Sequence, residues 1–204
     1  MTAQSHAPGR RAELIEATLS IIAEHGAAET TVGRICDAAG FSRGLISHYF
    51  AGKEALLLET YRRLSQELAA ETAKAVKGRD GDPVGSLRAL VEVSFRPPVF
   101  EESKMAAWLA FWSASRGNPA LNALNRELYR GYRAGVTRLM AEAARTRGVA
   151  LDAHGAATAL TALIDGLWLE FALDAEAIGA DRAEAACLDY LDRLFPQEAE
   201  INVP

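Results

Sequence analysis

The sequence has 204 residues, 50% of them hydrophobic and 24% charged, which suits a folded protein and excludes wholesale disorder. Its 22 basic and 27 acidic side chains leave a net charge of −5, which over the whole chain argues against a nucleic-acid partner. The two cysteines, Cys36 and Cys187, have no Cys or His at ligand spacing, so neither a disulfide framework nor a metal site is expected.

Residues 1–11 are polar and lack the apolar core of a signal sequence, and no apolar run reaches the ~18 residues of a membrane span. A cytoplasmic protein without a membrane partner is expected. The first helix is amphipathic, with Ala12, Ile15, Leu19 and Ile22 at three- and four-residue steps, and ends near Gly26. Thr30 or Thr31 then caps a short helix carrying Val32, Ile35, Cys36 and Ala39, and Gly40 stops it. Ser42 caps a second short helix over 43–49. After Gly52 a long helix is predicted over 53–77, with Leu56, Leu57, Tyr61, Leu64, Leu68 and Val76 inward; at ~1.5 Å per residue it is about 37 Å long. Residues 78–83 form the one internal boundary, and Asp82-Pro83 is a new helix start. Helices over 84–96 and 99–116 are separated by Pro97-Pro98. Three more are predicted over 119–147, with Asn118 as cap, 152–173 and 181–194. The expected fold is all-α, with residues 1–52 as one domain and 53–204 as a larger helical one.

Two short helices joined by a glycine turn make a helix-turn-helix. Gly40 supplies the positive φ that the turn needs, and Val32, Ile35, Ala39, Phe41 and Leu45 lock the helices together. Ser42, Arg43, Gly44, Ser47 and His48 give the second helix a polar outer face. Tyr49 at its end and Lys53 at the next helix start can grip phosphates on either side of a groove-inserted helix. These residue types suit double-stranded DNA; the alternative is a helical hairpin with a hydrated face.

Thr30-Thr31-Val32, Ile35, 38–44 (Ala-Ala-Gly-Phe-Ser-Arg-Gly), Tyr49-Phe50 and 53–56 (Lys-Glu-Ala-Leu) resemble the N-terminal domain of TetR-type transcriptional repressors. The resemblance spans roughly residues 10–62. It implies an all-α homodimer with a helix-turn-helix DNA-binding domain followed by a ligand-binding and dimerisation domain. It further implies base reading by Ser42, Arg43, Gly44, Ser47 and His48, and phosphate contacts from Thr31, Tyr49 and Lys53. Residues 44–50, 108–112 and 162–169 look like the BetI branch of that family, the choline-responsive repressors, which carries the resemblance to about Phe195. The implied effector is choline or a related quaternary ammonium. The alternative within the family is a regulator of efflux or another pathway that senses a different cationic or aromatic ligand.

The aromatic residues support a cation independently. Phe95, Phe100, Trp108, Phe111, Trp112, Tyr129 and Tyr132 place seven of the fifteen aromatics within 38 positions. A quaternary ammonium cannot donate a hydrogen bond, so π faces and a carboxylate are the groups suited to hold it, each face worth ~0.5–2 kcal/mol. Trp108 and Trp112 stand one helical turn apart, with Phe111 beside them, and Thr161, Asp165 and Trp168 form a second stripe. The expected pocket lies between those helices; the alternative for each of these residues is ordinary core packing.

Gly155, Ala159, Ala162 and Gly166 make a ridge of small residues beside Leu160, Leu163, Leu167 and Phe171, and Ala185, Leu188, Leu191 and Leu194 line the last helix. A homodimer through these two helices is expected, with its reading heads on a near-palindromic operator. The histidines, His6, His25, His48 and His154, form no metal-spaced pair, and neither a nucleophile elbow nor a phosphate loop is present, so no enzyme and no cofactor is expected. A helical adaptor without DNA binding is the remaining alternative class. Taken by region, residues 1–63 hold seven basic and seven acidic side chains, and the remaining 141 hold fifteen and twenty. The reading head is neutral, and the acidic excess belongs to the part expected to hold a cation.

Overall fold

Every regular element among the described residues of the computed structural model (7–79, 81–174 and 176–196) is a helix. These are α1 (Ala7–Glu29), α2 (Val32–Ala39), α3 (Arg43–Tyr49), α4 (Lys53–Val76), α5 (Pro83–Ser94), α6 (Glu102–Ser115), α7 (Pro119–Arg147), α8 (Ala153–Leu173) and α9 (Ala180–Leu194). His6 and Asp80, the latter within the expected boundary segment, lie outside the described residues.

Local chemistry sets most of the ends. The Thr31 hydroxyl accepts from the Arg34 amide at 3.2 Å and caps α2. At the other end Gly40 takes φ 68°, and its neighbour Phe41 returns its amide to the Cys36 carbonyl at 2.9 Å. Asp82 caps α5 through the Gly85 amide (2.8 Å), Asn118 caps α7 through the Leu121 amide (2.9 Å), and Asp152 caps α8 through His154 and Gly155. Ser42 stands at the N-cap of α3, yet its side chain makes no capping hydrogen bond. Gly26, the expected end of the first helix, is non-helical at φ 75°, but another turn follows and carries α1 to Glu29. α6 begins three residues later than expected, because the Val99 and Phe100 amides both turn back to the Arg96 carbonyl at 3.0 Å.

The chain divides into two compact units. The first comprises Met1–Glu67 and Glu102–Leu128. Leu14, Ile15, Ile35, Cys36, Ile46, Phe50 and Leu56 form the core of its N-terminal part, and Val32, Ala39, Phe41 and Tyr49 pack against it. Ile46 rather than Leu45 is the residue that α3 buries; Leu45 is half-buried. α1 packs against both α2 and α6, so it buries Leu14, Thr18 and Ile21 besides the expected Ile15 and Ile22, and Ala12 faces solvent.

The second unit comprises Leu68–Glu101 and Tyr129–Pro204. Here α9 packs against α5 and α8. Leu87, Leu90, Val91 and Phe95 of the first segment are buried, as are Leu160, Ile164 and Trp168 of α8 and Ala183, Cys187 and Leu191 of α9. Both cysteines are free and buried, and burial pushes the Cys187 thiol up to about 12, which makes it a packing group.

Candidate nucleic-acid interface and effector site

The α2–α3 pair leaves a polar surface. Thr31, Ser42, Arg43, Gly44, Ser47 and His48 are exposed, whereas Tyr49 and Lys53 are half-buried. This division follows from α3 being only two turns long: Ile46 and the flanking Phe50 supply its buried side, and the opposite face is left to water. The Arg43 guanidinium folds back over α2, where its Nη2 would lie 3.5 Å from a Cβ placed on Gly33. Tyr49 meets the ring of His48 edge-on, with centroids 4.8 Å apart. Arg11, one of the head's basic residues, is engaged within the unit: it pairs with Glu59 at 2.9 Å and lies 5.0 Å above the Phe50 ring.

In the same unit the α6 aromatics gather around α4. Tyr61, buried and on the expected inward face, stacks on Phe111 with centroids 4.5 Å apart and meets Trp108 edge-on at 5.6 Å. Its hydroxyl donates to Asn125 Oδ1 at 2.5 Å. Trp108 and Trp112 are 6.0 Å apart and tilted by 41°. Trp108 and Phe111 are buried, while Trp112 is half-buried, with a buried indole Nε1–H that finds no acceptor among the described residues. A buried donor without a partner costs about 1–3 kcal/mol, so this N–H marks a place where an acceptor is wanted.

In the second unit Asp165 stands with residues that spacing did not select. Burial pushes its carboxyl up from 3.8 to about 6, while a hydrogen bond from Tyr129 and the charge of Arg133 pull the other way. Arg133 lies 5.5 Å above the Tyr129 ring. Burial raises the Tyr132 hydroxyl, the Asp165 charge adds to that rise, and a hydrogen bond with Ser94 opposes it. Thr161 and Trp168 are buried and internally satisfied: Thr161 donates to the Ala157 carbonyl at 2.8 Å, and Trp168 Nε1 to the Ser94 carbonyl at 2.9 Å. They shape the surroundings of Asp165 without offering a polar atom. Tyr129 stands about one helical turn before Tyr132 and Arg133 on α7, a spacing legible only once Asp165 is known to face that helix.

The small-residue ridge of α8 faces solvent in the single chain. Gly155, Ala159, Ala162 and Gly166 are all exposed, and Leu169 and Leu173 beyond them are 37% and 69% exposed. By length and composition α8 could cross a membrane, the one such helix among the described residues. Its inner face, however, is packed in the unit's core and hydrogen-bonded to Ser94.

Residues 14–60 match the family described as bacterial regulatory proteins, tetR family, and residues 83–196 match the BetI-type transcriptional repressor C-terminal family. The HTH-type transcriptional regulator BetI of Ectopseudomonas mendocina (strain ymp) is 38% identical over 190 residues, covering 91% of this chain and 93% of that relative. Among solved structures, a transcriptional regulator from Pseudomonas aeruginosa PAO1 superposes with a TM-score of 0.85 at 34% identity, covering 94% of this chain and 92% of that one. One from Saccharomonospora viridis, solved in complex with choline, has a TM-score of 0.80 at 24% identity, covering 91% and 96%, and shares the fold. The exposed polar face of the helix-turn-helix thus sits in a chain whose two halves match one regulator class, a non-enzymatic one: this chain belongs to the TetR family and is a BetI-type transcriptional repressor.

Proposed function

We propose that the protein binds a near-palindromic operator as a homodimer and is released by an organic cation, choline or a related quaternary ammonium. Residues 1–52 form the reading head in this proposal, and 53–204 the sensing and dimerisation part. Ser42, Arg43, Gly44, Ser47 and His48 read bases, and Thr31, Tyr49 and Lys53 hold phosphates. The last two helices make the dimer, bringing the exposed α8 ridge against its symmetry mate so that the two heads match one DNA turn, ~34–36 Å. A DNA-binding regulator of this kind works in the cytoplasm.

The observation that carries the effector reading is the Trp108–Trp112 pair with the Trp112 Nε1–H, which has no acceptor among the described residues. Indole faces attract a quaternary ammonium, and the hydroxyl oxygen of choline is an acceptor of the kind that N–H lacks. Phe111, on the same helix, is the further proposed contact. The choline complex of the S. viridis regulator supports the same ligand class. A ligand that favours the splayed dimer weakens operator binding by the same factor by which the operator weakens ligand binding.

Calorimetry with choline tests the reading directly. Binding to the wild type, weakened at least about tenfold in Trp112→Ala, is expected from the loss of a π face. No heat with the wild type rejects choline, and wild-type affinity in Trp112→Ala rejects this contact. Operator affinity unchanged by saturating choline rejects release.

A further inference from the structure

Three asparagines, Asn118, Asn122 and Asn125, follow one another along the start of α7 at steps of four and three, on one helical face. Each makes a different tie within the first unit. Asn118 Nδ2 donates to Glu54 Oε1 at 3.1 Å while its Oδ1 caps α7. Asn122 Nδ2 donates to the Ser115 carbonyl at the end of α6 (3.2 Å). Asn125 Oδ1 accepts from Tyr61 at 2.5 Å. The partners on α4, Glu54 and Tyr61, are separated by the same seven positions as Asn118 and Asn125, so the two helices run in the same direction, joined at two matched rungs. Glu54 adjoins Lys53 in the first turn of α4, and Tyr61 stacks on Phe111.

We infer that Asn118 and Asn125 are positioning residues for DNA binding: through Glu54 and Tyr61 they hold the first two turns of α4 in register and so aim Lys53. The inference rests on the reading of Lys53 as a phosphate contact. The Asn118–Glu54 rung is the sensitive one, because it sits next to Lys53 and because one atom of Asn118 serves the cap and the other serves α4. Changing the donor to an acceptor therefore breaks the rung and spares the cap.

The charge-swap series Asn118→Asp, Glu54→Gln and the double variant tests this. Aspartate caps a helix as well as asparagine does, so α7 is preserved. It also sets two carboxylates against each other, which like charges at hydrogen-bond distance resist. In Glu54→Gln the side-chain oxygen still accepts from Asn118, and in the double variant the glutamine amide donates to Asp at 118, restoring the rung with its direction reversed. Hydrogen exchange of amides 53–61 in the free protein reads the rung itself. Gel shift with the DNA directly upstream of the protein's own gene reads its consequence. Asn118→Asp is expected to exchange faster over 53–61 and to lose about tenfold or more in affinity for that DNA. Glu54→Gln is expected to stay near wild type, and the double variant to recover both signals.

Asn118→Asp exchanging like wild type, or a double variant no better than Asn118→Asp, overturns the rung. Exchange that responds while affinity does not overturns the positioning role. If the wild type fails to shift that DNA, the operator reading fails, and exchange alone decides the rung. If Lys53→Gln leaves affinity unchanged, the phosphate reading of Lys53 fails, and with it the positioning role, whatever exchange reports.

Discussion

Asp165 pays a measurable cost for its surroundings. A carboxyl raised to about 6 by burial binds its proton more tightly folded than unfolded, so its stabilising contribution is full below about pH 4 and is lost as pH rises to 6. Asp165→Asn is therefore expected to stabilise the free protein at pH 7–8 by about 1–3 kcal/mol and to be neutral at pH 4, as read by urea unfolding at each pH. A variant no more stable than wild type at pH 8 refutes the burial account. At this scale the sequence was legible for residue types: Asp165, Trp108 and Trp112 stand out by spacing. It placed Tyr129 among the clustered aromatics but joined neither it nor Arg133 to Asp165, which both reach from another helix, and it was silent on the hydrogen bonds of Thr161 and Trp168.

At the scale of elements, caps and turns were the most legible features, because a single side chain within three residues of a helix end decides them. Thr31, Gly40, Asp82, Asn118 and Asp152 all act where local chemistry puts them. Thr31 and Ser42 separate capping from reading. Thr31 makes its hydrogen bond, so Thr31→Ala should lower stability by about 1 kcal/mol as well as weakening DNA binding. Ser42 makes none, so Ser42→Ala should leave the unfolding free energy within about 0.5 kcal/mol of wild type while changing operator affinity. A Ser42→Ala protein that is unstable, or one that binds the operator unchanged, would remove Ser42 from the reading face. The extra buried positions of α1 were not legible, because α1 packs against α6, some eighty positions away, as well as against α2, where Leu14 joins the core.

For the whole molecule, the exposed α8 ridge carries the strongest consequence. Ala162 is exposed in the single chain, so Ala162→Arg should leave each chain folded and halve the mass seen in sedimentation. Loss of the second head should then weaken operator binding by about a hundredfold or more, since two linked sites gain 10²–10⁴ in avidity. A variant that stays dimeric places the interface elsewhere. The net charge of −5 looks different at this scale too. The neutral head and acidic remainder divide the charge along the chain as the two proposed roles divide the function.

The sequence by itself determined the all-α class, the helix-turn-helix, the capping chemistry and the family, because periodicity, caps and a contiguous motif are all written in near neighbours. Only the tertiary structure decided that Ile46 rather than Leu45 fills the core beneath α3, that Trp168 donates to the Ser94 carbonyl, and that Asn118 and Asn125 meet Glu54 and Tyr61. Each of these depends on which face of one helix meets another, sixty or more positions distant for Trp168 and the two asparagines, and spacing within one helix carries no information about its partner.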